Sequence, residues 1–357
     1  MSSDNSYELF KRFPALEEHL PVYTLSRLPT ELRRATLQNN GYQQSIWIKA
    51  DDAPGRVYGG NKLRKLDFLF GRLAQRNVSR VATFGTVASN HALATAACTR
   101  WLDREPVCFL AHQTRTPLAA RALRQHAALG TTLIPWPGNR QQRIELLRNT
   151  LWHKNASVIA MGGSSWTGSV GFVNAGLELA EQFADQFTTR QTPPARIYIA
   201  SGTLGSAAGL ALGLALAELP TEVHAIRVSP SSLCNRQVLQ RLLVKIAAML
   251  HRFDRRIRPD TYRRANVVLR HEQFGSGYAK PTSDTEQAVD VARREFGMEL
   301  DATYTGKAFA ALLADFNIDR VREGGQLFWN TYHPIPRDGD VRHGGIPSSF
   351  ASYLDGE

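Results

Sequence analysis

Short apolar runs alternate along the chain with segments whose apolar residues recur every three or four positions. Between residues 44 and 228 the apolar runs predict strands and the periodic segments predict helices. The predicted strands lie at 45–49, 80–84, 107–110, 132–135, 157–161, 196–200 and 222–228, and the predicted helices at 66–73, 90–102, 117–129, 140–153, 170–187 and 205–218. Strands that alternate with helices in this way are typical of parallel sheets covered on both faces. The pattern therefore predicts an α/β fold.

Length and charge narrow the class of protein. The 357 residues are enough for two domains or one large one, and a hydrophobic content of 43% is ordinary for a globular protein. The formal net charge of +11 is compatible with a nucleic-acid binder. However, the arginines are spread along the whole chain, without zinc-finger spacing or an RNA-recognition motif. A solvated basic surface that attracts anionic ligands is therefore favoured over nucleic-acid binding.

Cysteine content and apolar stretches bear on location. Cys98, Cys108 and Cys234 are too scattered for a disulfide framework or a Cys-x-x-Cys metal site, and their odd number fits a reducing compartment. Residues 1–14 mix charged and apolar side chains, unlike a signal peptide. The longest apolar stretch, 207–217, is shorter than the ~20 residues that span a bilayer. We therefore predict a cytoplasmic protein that binds neither a membrane nor a metal ion.

Two predicted strand ends run directly into helix starts, where free N–H groups and the helix dipole favour anions. In FGTVASNH, residues 84–91, Ser89 or Asn90 is suited to cap the helix. In ASGTLGSAAG, residues 200–209, small side chains let the main chain approach a phosphate. The second segment lacks the lysine of a P-loop and the middle glycine of a dinucleotide fingerprint, which favours a simpler phosphate ligand. On the pattern alone, ordinary caps and a tight turn are the alternatives.

Lys62 lies in the segment YGGNKLRKL, in a turn crowded with basic side chains. The four basic residues are Arg56, Lys62, Arg64 and Lys65. Neighbouring positive charge lowers the pKa of a desolvated lysine below its ordinary ~10.4. Such a lysine is suited to Schiff-base chemistry. Taken alone, however, Lys62 is equally well explained as a solvated residue at a helix start.

Five motifs follow one another along the chain. They are GGNKLRKL (59–66), SNH (89–91), MGGSS (161–165) with Gly168, Gly171, Phe172 and Asn174 after it, SGTLGSAAGL (201–210) and LDATYTGKA (300–308). In content, order and spacing they resemble the family of 1-aminocyclopropane-1-carboxylate deaminase and D-cysteine desulfhydrase, over roughly residues 20–335. That family belongs to the fold-type II enzymes, whose cofactor is pyridoxal 5'-phosphate (PLP).

The resemblance implies an architecture. Two parallel-sheet domains, each of three layers, would have the active site in the cleft between them. The larger, PLP-binding domain would comprise residues 1–64 and 173–357, and the smaller domain residues 65–172. A homodimer is usual in the family and is expected here.

The resemblance also implies roles for the residues that bind cofactor and substrate. Lys62 would carry PLP as a Schiff base and move protons at the substrate Cα. Asn90 would bind the ring hydroxyl oxygen of PLP, while Ser89 and the main-chain N–H of His91 would hold the substrate carboxylate. The phosphate of PLP would bind to the phosphate cup, which consists of Thr203, Leu204, Gly205 and Ser206.

Four further positions bear on the reaction that the resemblance implies. Tyr278 and Tyr304 match the family's two active-site tyrosines, which are candidate proton donors or acceptors. Thr305 matches the position facing the pyridine nitrogen, where true deaminases carry glutamate, and Thr331 stands where they carry leucine. A hydroxyl near that nitrogen suits removal of the α-proton followed by β-elimination. The resemblance therefore implies desulfhydrase chemistry, in which D-cysteine yields pyruvate, ammonia and hydrogen sulfide.

Two stretches depart from the family's pattern. Its Thr-Gly-Gly reads Thr331, Tyr332, His333 here, which puts two bulky side chains beside the cofactor. Its Gly-Gly-x-Gln-Ser-Asn reads GTVASN, which puts Ala88 in the place of a glutamine. We expect both changes to alter the substrate pocket and to leave the role of Lys62 intact.

Two alternatives to the desulfhydrase interpretation stay open. One is another PLP reaction on the same scaffold, such as racemisation, β-replacement, or deamination of 1-aminocyclopropane-1-carboxylate or another amino acid. The other is a PLP-binding protein without catalytic activity. Turnover of a small amino acid would distinguish the first alternative from the second.

Overall fold

Ten strands form two sheets in the part of the chain that the computed structural model describes, which comprises residues 7–39, 42–53, 55–151, 155–186, 192–318, 325–334 and 345–354. The strands are β1 Leu32–Asn39, β2 Tyr42–Ala50, β3 Arg80–Thr86, β4 Glu105–Ala111, β5 Thr132–Pro135, β6 Ala156–Val158, β7 Arg196–Ser201, β8 Glu222–Arg227, β9 Val267–Arg270 and β10 Gln326–Asn330. One sheet has the order β1-β2-β10-β7-β8-β9 and the other β5-β4-β3-β6. The β1–β2 pair is antiparallel, and the other neighbouring pairs are parallel. The predicted α/β fold is confirmed.

Helices connect the parallel strands. Within the described residues they are α1 Glu8–Arg12, α2 Lys62–Ala74, α3 Asn90–Trp101, α4 Pro117–Ala128, α5 Arg140–Leu151, α6 Trp166–Gln186, α7 Gly205–Leu216, α8 Arg236–Phe253, α9 Ser283–Phe296 and α10 Thr305–Ile318. None of these helices is both long and apolar enough to cross a membrane.

Each sheet belongs to a separate compact unit. The first unit, with the six-stranded sheet, comprises Met1–Pro21, Arg27–Ala53 and Ser164–Tyr332. The second, with the four-stranded sheet, comprises Val22–Ser26, Pro54–Gly163 and His333–Glu357. Both units are discontinuous in sequence. The sequence predicts domain boundaries after residues 64 and 172. These differ from the limits of the two compact units, and the domain boundaries stay a prediction.

In the first unit, α7 is buried along its whole length because its sequence, GSAAGLALGLAL, carries no charged side chain. It packs closely against α6. A Cβ atom on Gly209 would overlap the main-chain oxygen of Ser169, and one on Gly213 would overlap that of Val173. The two glycines therefore allow the helices to approach closely, and this contact fixes the position of α7.

In the second unit, β4 lies between β3 and β5, and its interior residues are all buried. This explains why β4 reads as a continuous apolar run instead of an alternating pattern. The neighbouring α3 is buried from His91 to Thr99, and its many alanines leave room for close packing. The three cysteines are buried free thiols. Cys98 lies in α3 and Cys108 in β4, whereas Cys234 belongs to the first unit.

One predicted strand is longer than the observed one. The pattern predicts a strand at 157–161, but β6 ends at Val158, and Met161–Gly163 forms a 3₁₀ turn. The N–H of Ile159 still donates to the Ala82 oxygen at 2.8 Å, after which Gly162 and Gly163 both take φ of 65°, outside the strand region. The last two residues of the predicted helix 140–153 and the last of 170–187 lie outside the described residues.

Candidate active site

The turn between β3 and α3 is shaped by Gly85 and Ser89. A Cβ atom on Gly85 would collide with the Ser89 side chain, so only glycine lets Ser89 fold over the strand end. The Ser89 Oγ accepts a hydrogen bond from the Ala92 N–H at 3.3 Å, which makes Ser89 the N-cap of α3, one of the two predicted caps. In the first turn the N–H groups of Asn90 and His91 have no preceding helical carbonyl to bond and are suited to an anion.

The Asn90 amide is held at both ends by residues distant in sequence. Its Oδ1 accepts a hydrogen bond from the Tyr58 hydroxyl at 2.6 Å, and its Nδ2 donates to the main-chain oxygen of His333 at 3.0 Å. The rings of Tyr58 and His333 also pack edge to face, with centroids 4.9 Å apart. Since Nδ2 carries two hydrogens and His333 uses one, the oriented amide can offer the second to a ligand.

The imidazole of His91 is buried beneath this turn. Its Nε2 lies 3.2 Å from the Thr83 hydroxyl, which itself donates to the Ile159 oxygen at 3.1 Å. Thr83 therefore accepts from Nε2–H, which fixes the tautomer. Burial and the charges of Lys62 and Lys65 lower the pKa of His91 to about 3, so the ring is neutral at neutral pH. The buried imidazole is therefore directed into the second unit, and the role of the His91 main-chain N–H stays a prediction.

Lys62 is the first residue of α2 and is half-buried. Its Nζ donates to Oδ1 of the buried Asn61 at 3.1 Å. One turn later Lys65 is buried, and its Nζ donates to the Gly162 oxygen at 3.0 Å. Burial and the charge of Lys62 hold the pKa of Lys65 well below its ordinary value. Burial is the larger cause of this lowering, and the positive charge of Lys62 adds to it.

The phosphate cup lies at the start of α7, which is capped differently from the start of α3. Leu204 is the N-cap, with φ of 62° in the left-handed region, and no side chain caps the helix. The Thr203 hydroxyl lies 2.7 Å from that of Ser164, which ties the cup to the residues before α6. Because α7 is buried and its N-cap Leu204 offers no side-chain acceptor, the start of this helix is suited to a strongly hydrogen-bonding anion.

Tyr278 and Tyr304 meet through their hydroxyl groups. The two oxygens form a short hydrogen bond, and the rings are nearly perpendicular with centroids 6.2 Å apart. Loss of solvent, followed by the influence of Tyr278 and Asp301, raises the pKa of Tyr304 well above its ordinary value. Tyr304 is therefore protonated at neutral pH and can donate a hydrogen bond or a proton.

Thr305 begins α10 and is buried. Its hydroxyl donates to Oδ2 of Asp301 at 2.8 Å and accepts from the Asp301 N–H at 3.0 Å. Oδ1 of Asp301 accepts the N–H groups of Thr303 and Tyr304 at 2.9 and 2.6 Å. Asp301 therefore caps the helix start and orients Thr305, and this is why the LDATYT segment holds its shape.

Lys307 ties the segment that carries Tyr278 to α10. It is fully buried, and its Nζ donates to the main-chain oxygens of Phe274 and Lys280 at 2.6 and 2.9 Å. Burial and the nearby charge of Arg227 lower its pKa. Since Tyr278 lies between the two carbonyls in sequence, Lys307 restricts the positions that its hydroxyl can take.

The predicted site residues fall into two groups. Lys62, Ser89, Asn90 and His91 lie in the second unit, at the starts of α2 and α3. The first unit contains Thr203, Leu204, Gly205, Ser206, Tyr278, Tyr304, Thr305 and Thr331. Thr331 directly follows β10 and is half-buried. Within the described ranges, no group of three or more His, Cys, Asp or Glu side chains could hold a metal ion.

The sequence matches the protein family described as "Pyridoxal-phosphate dependent enzyme" over residues 23–328. The chain belongs to this family. PLP is therefore its cofactor, and the fold-type II assignment made from the motifs is confirmed.

Two curated relatives match this PLP-dependent enzyme over nearly its whole length. Nocardicin C-9' epimerase of Nocardia uniformis subsp. tsuyamanensis is 30% identical over 344 residues, which cover 94% of this chain and 99% of the relative. D-cysteine desulfhydrase of Klebsiella pneumoniae subsp. pneumoniae is 29% identical over 361 residues, covering 98% and 99%. The crystal structure of an ACC deaminase homologue superposes with a TM-score of 0.72 at 24% identity, covering 91% of this chain and 94% of that one, and shows the fold.

The residues of this PLP-dependent enzyme fit its cofactor. A dianionic phosphate requires several N–H donors, and the uncapped start of α7 presents main-chain donors at a buried position. A Schiff base requires an amine with little competing charge, and Lys62 is half-buried with the neutral Asn61 amide as one partner. The start of α7 is therefore suited to the phosphate of PLP, and the amine of Lys62, taken separately, is suited to a Schiff base.

Sequence reasoning missed the residues that hold the site residues in place. Tyr58 and His333 orient Asn90, Asp301 orients Thr305, and Lys307 holds the Tyr278 segment. Asp301 and Lys307 lie inside the LDATYTGKA motif, so a search for buried polar residues within the motifs could have found them. The contact between Tyr58 and Asn90 has no local signal, because the two residues are brought together only by the fold.

Proposed function

We propose that this PLP-dependent enzyme is a D-cysteine desulfhydrase-like lyase, which converts D-cysteine and water to pyruvate, ammonia and hydrogen sulfide. The observation that carries the proposal is the hydrogen-bonded pair of Tyr278 and Tyr304. Tyr304 is protonated at neutral pH, and its hydroxyl can supply the hydrogen that a departing sulfur needs. The 29% identical D-cysteine desulfhydrase supports the same reaction.

Each residue has a defined part in the proposed reaction. When bound, PLP supplies an electron sink for the negative charge that develops at Cα. The amine of Lys62 takes the proton from Cα, and Tyr304 donates its hydrogen to the sulfur as the C–S bond breaks with its electron pair on sulfur. Ser89 and the first N–H groups of α3 hold the substrate carboxylate.

The remaining parts of the proposal concern binding of the cofactor. The main chain of the phosphate cup holds the phosphate, and Asn90 holds the ring hydroxyl oxygen. Thr305 places a neutral hydroxyl near the pyridine nitrogen. In this structure its hydrogen is donated to Oδ2 of Asp301, so the hydroxyl has to turn from Asp301 to donate to that nitrogen. A neutral partner supports elimination over ring-opening deamination, which uses a carboxylate at this position in the family.

The proposal is tested by incubating the purified protein with D-cysteine and measuring pyruvate and hydrogen sulfide. We expect Lys62→Ala to lose the visible absorbance band of bound PLP and all turnover. Tyr304→Phe should keep the band and lose activity by roughly 10²–10⁴-fold, the usual contribution of a positioned acid or base. Formation of neither product from D-cysteine by the wild-type protein would exclude the desulfhydrase reaction.

Racemisation or epimerisation at Cα is the second candidate, because the nocardicin C-9' epimerase is 30% identical to this chain. In that reaction a proton removed by Lys62 is replaced from the opposite side by Tyr304, and no bond to the β-substituent breaks. Incubation in D₂O distinguishes the two reactions. Deuterium at Cα with formation of the other enantiomer and no pyruvate would support epimerisation, and cofactor binding without any turnover would support a non-catalytic protein.

Location and assembly are part of the same proposal. We propose a cytoplasmic homodimer, as is usual for the family. Sedimentation equilibrium of the purified protein tests the assembly, since a single species at twice the 39.7 kDa chain mass is expected.

A further inference from the structure

The 3₁₀ turn Ser348–Tyr353 packs against α3 and the turn before it, together with β4, β5 and α4. Phe350 is fully buried in an apolar cluster of the second unit. The other members of that cluster include Val87, Ala92, Leu110 and Leu123. Val87 lies in the Ser89 turn itself, and Ala92 lies in the first turn of α3. The C-terminal turn is therefore a structural support of this turn.

Tyr353 fixes the main chain of Gln113 from both sides. The Tyr353 hydroxyl accepts the Gln113 N–H at 2.8 Å and donates to the Gln113 oxygen at 2.8 Å. Its ring is stacked on that of His112, with centroids 5.9 Å apart and an angle of 13° between the planes. Because a single hydroxyl satisfies both main-chain groups of Gln113, the position of this residue depends directly on Tyr353.

The side chain of Gln113 reaches the Ser89 turn itself. Its Oε1 accepts the main-chain N–H of Ala88 at 3.0 Å. Ala88 precedes the N-cap Ser89 and has no polar side chain of its own. A continuous series of contacts therefore leads from Tyr353 through Gln113 to the residue beside the N-cap of α3.

We propose that Gln113, held by Tyr353, is a positioning residue for substrate binding: its amide sets the Ala88–Ser89 main chain, so that Ser89 and the start of α3 can receive the α-carboxylate of the amino acid. The inference rests on the proposed function, which assigns the carboxylate to this turn. Main-chain donors must be held within about half an ångström to bind a carboxylate well, and without Gln113 the Ala88 N–H loses its acceptor.

Three variants test the inference by steady-state kinetics with D-cysteine as the probe. Gln113→Leu keeps the size of the side chain and removes the acceptor, and should raise KM about tenfold with kcat within about twofold of wild type. Gln113→Glu restores an acceptor for Ala88 but adds a negative charge that repels the substrate carboxylate, so we expect it to restore slow exchange of the Ala88 amide without restoring KM. Tyr353→Phe keeps the ring against His112 and should give a smaller rise in KM.

The matched control is Thr114→Val, an exposed position on the same segment, for which we expect unchanged kinetics. All variants should keep the PLP absorbance band and the wild-type melting temperature. Exchange of the Ala88 amide as fast in Gln113→Glu as in Gln113→Leu would overturn the inference, because the restored acceptor would then not hold the turn. An unchanged KM in Gln113→Leu would overturn it as well.

Hydrogen exchange tests the same contact without any substrate, so that failure of the proposed reaction does not obscure it. The main-chain amides of Ala88 and Ser89 should exchange at least about tenfold faster in Gln113→Leu than in the wild type and in Thr114→Val. Equal rates in the three proteins would overturn the inference whatever the substrate is. Faster exchange without turnover of D-cysteine would instead retain the contact and reject only the desulfhydrase reaction.

Discussion

The starts of α3 and α7 both follow a parallel strand, yet they are built differently. At α3 a serine caps the helix, and side chains from Tyr58 and Gln113 and the main chain of His333 hold the turn in place. At α7 the N-cap is Leu204 in the left-handed region, no side chain caps the helix, and the helix is buried along its length. One helix start depends on side chains and the other on the main chain.

The difference teaches where this enzyme can change its substrate. A phosphate is the same in every PLP enzyme, and main-chain donors held by tight helix packing recognise it without regard to side chains. Under the proposed function the start of α3 lies beside the substrate, and contacts from distant side chains can be exchanged there one at a time. The chain departs from the family's pattern at two positions near this turn: Ala88, which precedes the N-cap, and His333, whose main-chain oxygen accepts from Asn90.

We expect the largest effect from a substitution that disturbs the packing of α7 on α6, and with it the main chain of the phosphate cup. Gly209→Ala adds a Cβ atom that overlaps the Ser169 oxygen, and the backbone of α6 cannot move away at low cost. We expect a loss of about 1–3 kcal/mol in the free energy of unfolding and a marked loss of PLP affinity. Urea denaturation and titration of the apoprotein with PLP measure the two effects.

Gly202→Ala is the matched control for this substitution, because the nearest atom to its Cβ is Cγ2 of Val228 at 3.9 Å, an ordinary contact. It should leave the free energy of unfolding within about 0.5 kcal/mol of wild type. Equal destabilisation by both substitutions would contradict the view that the packing of α6 on α7 positions the phosphate cup.

The same contrast explains how much of the fold the sequence could predict. Strands β3, β4, β7 and β8 are apolar runs buried in parallel sheets, and the hydrophobic pattern located all four. It gave no prediction for β1, an antiparallel strand whose sequence, LRRATLQN, mixes charged and apolar residues. The four half-buried residues of β9 were also missed, and so was β10, although all five of its residues are buried.

For the candidate site, the motifs indicated which residues to examine but not what holds them. Ser89 and the phosphate cup follow from small residues at a strand-to-helix junction, which is a local signal. The hydrogen bond from Tyr58 to Asn90 and that from Ala88 to Gln113 join residues 32 and 25 positions apart. Such contacts depend on the completed fold, and no periodicity in a single sequence encodes them.

An effect of intermediate size is expected on the free energy of unfolding at acidic pH. His91 binds a proton in the folded chain only below its pKa of about 3, whereas in the unfolded chain it binds one below ~6.5. Between these values only the unfolded state is protonated, so stability is full above pH ~6.5 and falls as the pH is lowered toward 3. The loss from His91 should reach about 2 kcal/mol at pH 5, and urea denaturation at pH 8 and pH 5 measures it.

His91→Gln removes the titrating group and keeps a donor for Thr83, so its stability should depend less on pH than that of the wild type. His126 in α4 also has a pKa lowered to about 3 by burial, and His126→Gln is the matched control. Amide exchange at pH 5 should slow at the start of α3 in His91→Gln but not in His126→Gln. Identical exchange in the two variants would mean that His91 has no local connection to the α3 turn.

The smallest expected effects come from two single substitutions, one at the start of α3 and one at the start of α7, which compare the two helix starts directly. Tyr58→Phe removes the hydrogen bond to Asn90 Oδ1 and keeps the ring against His333, whereas Ser206→Ala removes a hydroxyl from the phosphate cup. We expect Tyr58→Phe to weaken PLP binding by about 0.5–1.5 kcal/mol and to shift the absorbance maximum, because Asn90 loses its orientation. Ser206→Ala should change PLP affinity by less than about threefold, because main-chain donors supply the phosphate contacts. The reverse order, with Ser206→Ala the more damaging, would show that the phosphate cup depends on side chains as much as the α3 turn does.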